Sequence, residues 1–279
     1  DFQALAVFDT LIKIEYPLTR ALIQMPTGTG KTRTAIEIIV RLLNESEEPL
    51  QILWFANKAE LLDQAYDAFE DAWVHVAKSE IKKIKFWGDE SIPVIPKEKC
   101  IFFIGYQKFS PLKGKLNPDY IFCDEAHQVL ARTYENTVES LVDTRKGTRV
   151  VGLTATPGRG ISKIQNEKLI TKFRDNLVPL KIYDKEKNDE YEGNVVRYLE
   201  DQNILAKANP VKLFTNFQYD LTEEEWKNLT KLHEGDHPEW SKTFLKELAN
   251  DNVRNTIIID ELKKYANEGK KILYFSVDQ

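Results

Sequence analysis

Arg20-Ala21-Leu22-Ile23-Gln24-Met25-Pro26-Thr27-Gly28-Thr29-Gly30-Lys31-Thr32 is an apolar run followed by a turn punctuated with glycine. The run Arg20–Met25 has the composition of a buried parallel strand. Past the turn, Ile36, Ile39, Val40 and Leu43 recur at helical spacing, and Glu37 stands four residues before Arg41 as a surface pair. Strand, turn and helix in that order decide the fold class. Further apolar runs at 51–56, 100–105, 119–124 and 149–154 alternate with helical patterns, notably 32–44 and 58–76, where Leu62, Ala65, Phe69, Ala72 and Trp73 form a stripe. Alternation of this kind predicts an α/β domain with a central, mostly parallel sheet and helices on both faces.

The turn has the chemistry of an anion cradle. Gly28 and Gly30 tolerate positive φ and let backbone amides approach a phosphate without a Cβ in the way. Thr27 and Thr29 complete the loop, and the following helix offers its positive N-terminus. Lys31 is placed to reach the β- and γ-phosphates and Thr32 to ligate Mg²⁺. The strict form of this motif has glycine where this chain has Met25. An ordinary glycine turn capping a helix is the bland alternative.

A second constellation follows the run Asp119-Tyr120-Ile121-Phe122-Cys123, namely Asp124-Glu125-Ala126-His127. Ligands of open α/β sheets collect at the carboxyl ends of strands, where these acids fall. Asp124 suits the metal and Glu125 the attacking water of a phosphoryl transfer, a reaction governed by positioning. Together the two constellations predict hydrolysis of a nucleoside triphosphate, with ATP and Mg²⁺ as the bound groups. His127 has no neighbouring His or Cys cluster in sequence, so a hydrogen-bonding role that relays nucleotide state fits it better than metal ligation. His233 and His237 lack a partner pair of ligands for zinc and read as a solvated loop.

Composition narrows the class. With 279 residues, 42% hydrophobic, the chain has enough apolar material for a sizeable core. No stretch approaches ~18 uninterrupted apolar residues, which argues against a membrane span. Two cysteines, Cys100 and Cys123, both in or beside buried strands, suit a reducing cytoplasmic setting better than a disulfide framework. The net charge of −5 does not favour a broad basic surface. Nucleic-acid binding here would rest on a few local contacts and fall steeply with salt.

These residues resemble a superfamily 2 helicase of the Asp-Glu-Ala-His group, and other segments follow the family's order. Leu153-Thr154-Ala155-Thr156-Pro157 resembles its third motif, which implies that Thr154 and Thr156 couple hydrolysis to nucleic-acid grip. Phe55–Gln64, with Asn57, Lys58 and Gln64, and Phe103–Gln107, with Gln107, resemble its segments along the nucleic-acid backbone. Gly105 replaces the usual threonine of the latter. Gln3 resembles the upstream glutamine that reads adenine. Asn194–Ala206 resembles the linker of restriction-enzyme helicase subunits, and Lys271–Gln279 the strand that opens their second motor domain.

The resemblance implies a RecA-like motor domain at 1–178, a helical connection at 179–269 and the start of a second RecA-like domain at 270–279, in a fragment of a longer motor. Its expected partner is DNA, duplex DNA in particular, with nuclease or specificity subunits or domains elsewhere. An RNA helicase and an ATP-gated nucleic-acid clamp are the rivals; a small-molecule kinase has no use for the third motif. Within the connection, Tyr183–Glu190 reads as a solvated loop, and helices are expected at 221–232, 239–249 and 252–267.

Overall fold

A computed structural model describes residues 2–130, 132–155, 163–174, 176–207, 209, 211–229 and 240–274. The chain divides into two compact units, Asp1–Lys207 and Ala208–Gln279.

The first unit is built on seven strands: β1 (Arg20–Gln24), β2 (Gln51–Ala56), β3 (Lys82–Phe86), β4 (Cys100–Gly105), β5 (Tyr120–Cys123), β6 (Arg149–Thr154) and β7 (Leu177–Pro179). They form one sheet in the order β3-β4-β2-β5-β6-β1-β7, and every neighbouring pair is parallel. The five apolar runs of the sequence are the five inner strands of this sheet. β3 and β7 are its edges, and neither is legible as an apolar run.

Helices cover both faces, as near-continuous apolar strands require. One face packs against α1 (Phe2–Lys13), α2 (Lys31–Glu45) and α3 (Ala59–Val76). Its core includes Ile36, Ile39, Leu62, Phe69, Trp54 and Phe103, all buried. The predicted Glu37–Arg41 pair forms at 2.9 Å on the outer side of α2. On the other face, Phe55, Phe102, Ile121 and Cys123 join residues of α4 (Arg132–Leu141) and α5 (Lys163–Lys172), including Val138 and Leu169.

Tyr183–Glu190 departs from the loop reading. Residues Lys185–Glu190 form a short helix, α6, whose N-cap Asp184 accepts a hydrogen bond from Lys187 N. The cap and the Lys187–Glu190 pair at 2.9 Å offset an absence of buried contact. A further helix, α7 (Val195–Asp201), buries Leu199 in the core of this unit.

The second unit is helical among its described residues: α8 (Glu223–Leu229), α9 (Lys242–Asn250) and α10 (Asn252–Asn267). Thr222 and Glu225 make a reciprocal cap at the start of α8, Thr222 N donating to Glu225 Oε2 and Glu225 N to Thr222 Oγ1. Phe244 gathers Phe217, Tyr219 and Trp240 around it. Residues 271–274 carry no regular structure, and 275–279 lie outside the described residues.

Candidate nucleotide site

Sheet order brings the two sequence constellations to one place. β5, β6 and β1 are consecutive in the sheet, so the turn after β1 and the acids after β5 are separated only by the end of β6. Gly28 and Gly30 adopt φ of +88° and +84°, in the left-handed region. A Cβ on Gly30 would lie 2.2 Å from Gln3 Nε2, the mobile end of a side chain that can move aside, so it is the positive φ that calls for glycine there. Gln3 itself donates from Nε2 to Thr29 O at 2.8 Å. The helix α1 thereby holds the crest of the loop.

Lys31, the first residue of α2, directs its ammonium at the acids. Its Nζ lies 2.9 Å from Glu125 Oε1 and 3.9 Å from Asp124 Oδ1. Asp124 is only 4% exposed, and its backbone N donates to Phe55 O at 2.8 Å, which ties it to β2. Burial raises its pKa above the ordinary carboxyl value, and the Lys31 charge and the Glu125 amide act against that rise. The amide of Glu125 donates to Asp124 Oδ1 at 2.9 Å. Glu125 has φ of +46°, a conformation non-glycine residues rarely adopt, and it turns the chain out of the strand at this point. His127 stands beside it, with Nδ1 3.4 Å from Glu125 Oε2.

Between the loop and the acids sits Thr154, at the end of β6. It is 1% exposed, its Oγ1 is buried with no hydrogen-bond partner among the described residues, and its carbonyl accepts from Met25 N at 3.1 Å. Thr27, Thr32 and the loop glycines complete the cradle in sequence, with Thr27 and Gly28 open to solvent. Thr156 lies outside the described residues, as do His233 and His237.

The arrangement fits a magnesium-bound triphosphate. Among the described residues no group of three or more His, Cys, Asp or Glu is placed to hold a metal unaided. Mg²⁺ takes one or two carboxylates and completes its shell with phosphate and water, which suits a site whose acids are Asp124 and Glu125. The buried Thr154 hydroxyl, unpartnered among the described residues, and the positive-φ glycines lie at the strand ends where such a ligand would sit.

The segments read as nucleic-acid contacts lie at the ends of β2 and β4, which are paired side by side. Gln107 donates from Nε2 to Asn57 O at 3.4 Å, a long contact. Asn57 Oδ1 is buried without a hydrogen-bond partner among the described residues, while Lys58 and Gln64 are exposed, Lys58 as the N-cap of α3. Asn57, Lys58 and Gln107 follow the carboxyl ends of these two strands and Gln64 lies on α3, but the four do not make a fixed constellation. A feature without sequence signal lies beneath them. Tyr106 is stacked between Phe55 and Tyr134, at ring separations of 4.9 and 4.3 Å, which joins β2, the end of β4 and α4 directly behind Asp124.

The family model described as "Type III restriction enzyme, res subunit" matches residues 1–159. No curated protein sequence matches the chain. Among solved structures, a nuclease-deletion mutant of the Type ISP restriction-modification enzyme LlaGI in complex with a DNA substrate mimic is similar, with TM-score 0.49 and 18% identity over 72% of this chain and 22% of that one. The helicase domain of Pyrococcus furiosus Hef gives a TM-score of 0.46 at 20% identity, over 62% of this chain and 37% of that one. The Type ISP enzyme LlaBIII bound to DNA gives 0.45 at 21% identity, over 57% of this chain and 13% of that one. This chain thus spans well under two thirds of each of these relatives. Among the described residues no helix is long and apolar enough to cross a membrane.

Proposed function

The chain belongs to the family of the type III restriction enzyme Res subunit, a group of superfamily 2 helicase-type domains, and on that premise we propose that it is the ATP-hydrolysing motor domain of a DNA helicase or translocase. The observation that carries the reading is the convergence of Lys31, Asp124 and Glu125 at the mouth of the glycine loop. Lys31 binds the terminal phosphates, Thr32 and Asp124 hold Mg²⁺, and Glu125 orients the water for in-line attack. Loop amides from Thr27 to Lys31 take up charge on the remaining phosphate oxygens. The Lys31–Glu125 contact is then the resting arrangement. An entering γ-phosphate takes over the ammonium and leaves the Glu125 carboxylate to accept a hydrogen bond from water.

His127, at the rim of Glu125, and Thr154, with Thr156 beyond it in sequence, carry the state of that site outward. Asn57, Lys58, Gln64 and Gln107 receive the nucleic-acid backbone. In this reading residues 1–178 are the motor core, 179–269 the connection and 270–279 the beginning of a second motor domain. Duplex DNA is the proposed track, in keeping with the restriction-enzyme family.

The test compares Mg-ATP binding and turnover with duplex DNA, single-stranded DNA and RNA. The chain alone is expected to bind Mg-ATP yet turn over slowly, because an arginine finger from a second domain contributes about 10³–10⁵ in rate. In a longer polypeptide with measurable turnover, duplex DNA should stimulate most. There Glu125→Gln should leave the ATP Kd within about twofold and lower turnover by about 10²–10⁴. Equal turnover by wild type and Glu125→Gln would remove the water-positioning role, and stimulation by RNA alone would replace DNA as the track.

A further inference from the structure

Asp124 stands where β5 runs out of partner strands. The register of β5 ends at Phe55 opposite Cys123 on the β2 side and at Gly152 opposite Cys123 on the β6 side. One step further, Asp124 keeps a strand-like link through its amide, which donates to Phe55 O at 2.8 Å. The chain then turns through the strained φ of Glu125, +46°, into the short 3₁₀ segment Ala126–Leu130, and α4 follows. A carboxylate carried on such a turn is aimed only as well as the two ends of the turn are held.

Both ends rest on one side chain. Upstream, the ring of Phe55 stacks on Tyr106, with centroids 4.9 Å apart and planes 18° from parallel. Phe109 closes on the same Phe55 ring from its edge, at 5.8 Å. Downstream, the ring of Tyr134 in α4 stacks on Tyr106 at 4.3 Å and 19°. Near-parallel rings at these separations fix one another's orientation as well as burying area. Tyr106 is 5% exposed. Its hydroxyl is buried beside the Cys123 thiol, and no oxygen or nitrogen among the described residues hydrogen-bonds it. Burial holds its pKa well above the ordinary phenol value, so the group stays neutral. A thiol is a weak hydrogen-bonding group. The ring, not the oxygen, is what this position supplies.

We propose that Tyr106 is a positioning residue for the magnesium-binding acid: the column Phe55–Tyr106–Tyr134 sets where Asp124 stands, from behind and without touching the ligand. This rests on the nucleotide reading above and extends it, since it makes metal affinity depend on the end of β4, which lends no group to the cradle itself. Support of a metal ligand from outside the coordination shell commonly sets about 10–100-fold in affinity.

The experiment titrates ATP into the chain by calorimetry, at a series of free Mg²⁺ concentrations and once in chelator. Wild type, Tyr106→Phe, Tyr106→Leu and Tyr134→Leu are compared, with thermal melts to show that each is folded. Tyr106→Phe should need the same Mg²⁺ as wild type for half-maximal tightening of ATP. Tyr106→Leu should need about tenfold more, with ATP affinity in chelator within about twofold of wild type. Tyr134→Leu, at the partly exposed end of the column, should move the Mg²⁺ dependence in the same direction, and it decides the matter if Tyr106→Leu does not fold. Equal weakening of ATP with and without Mg²⁺ would make Tyr106 a core residue only and overturn the proposal. An unshifted Mg²⁺ dependence in the folded leucine variants would overturn it too, as would the full shift in Tyr106→Phe. If wild type binds ATP no better with Mg²⁺ than without, the proposal falls while nucleotide binding stands. If wild type binds no ATP at all, the nucleotide reading itself fails.

Discussion

Two stretches of the same sheet edge are organised in opposite ways. At the ends of β1, β5 and β6, the ligand-facing groups are set by backbone: two glycines at positive φ, an amide bonded to Asp124, and a lysine at the first position of a helix. At the ends of β2 and β4, Asn57, Lys58 and Gln107 are joined by one 3.4 Å contact, and Gln64 projects from the solvent side of α3. The first stretch is a cradle built before any ligand arrives. The second is a surface whose side chains would have to be ordered by any strand bound there, at an entropic cost. Preorganisation belongs where bonds are broken, whereas the proposed motor would have to release its track at each step.

The sharpest way to test that contrast is Lys31→Ala. Lys31 is mostly buried against Asp124 and Glu125, and a charge-assisted contact of this kind contributes about 1.5–3 kcal/mol. Mg-ATP affinity should fall by about 10–100-fold in a fluorescence or calorimetric titration, with nucleic-acid affinity in the absence of nucleotide unchanged. Parallel loss of both would mean that the two stretches are one site, and the distinction would go.

Legibility in the sequence followed the same division. The cradle could be read because its requirements are backbone requirements, and Gly28, Gly30, Lys31 and Thr32 meet them within one short segment. The strands beside it were legible because both of their faces are buried. β3 was not, since Lys82, Lys83 and Lys85 make it an edge strand that resists pairing with another chain. β7 is only three residues long. α6 was hidden in a charged run because it buries nothing and depends on its Asp184 cap. The Tyr106 stack had no local signal at all. It joins segments remote in sequence, and an isolated tyrosine does not announce its partners.

A smaller effect bears on the cost of the prebuilt stretch. Burial raises the Asp124 pKa, so the folded chain holds this proton more tightly than the unfolded chain does. The penalty for ionised Asp124 is therefore fully present above the folded-state value. It shrinks as pH falls through that value and is gone below the ordinary value of 3.8. Asp124→Asn keeps an oxygen for the Glu125 amide and removes the charge. Stabilising changes at strained functional sites are commonly worth ~1 kcal/mol, so the melting temperature at pH 7 should rise by about 2–4 °C. The gain should fade as the melts are repeated toward acid pH. A lower melting temperature at pH 7 would show that the Lys31 interaction outweighs desolvation, and that the acid is held without cost.

The smallest expected effect lies on the other stretch. Lys58 is exposed at the N-cap of α3, and among the described residues no hydrogen bond sets its ammonium as one fixes Lys31. Loss of one solvated phosphate contact of this sort weakens binding uniformly across sequences and removes about one unit from the salt slope. Lys58→Ala should accordingly lower affinity for duplex DNA by about fivefold near physiological salt, roughly 1 kcal/mol, and flatten the dependence of affinity on salt. ATP binding should not change. Weaker screening at low ionic strength should make even this modest loss measurable by fluorescence anisotropy. A loss of a hundredfold would place Lys58 in the same class as Lys31 and require a fixed partner for it. An unchanged salt slope would move the DNA track off the ends of β2 and β4 altogether.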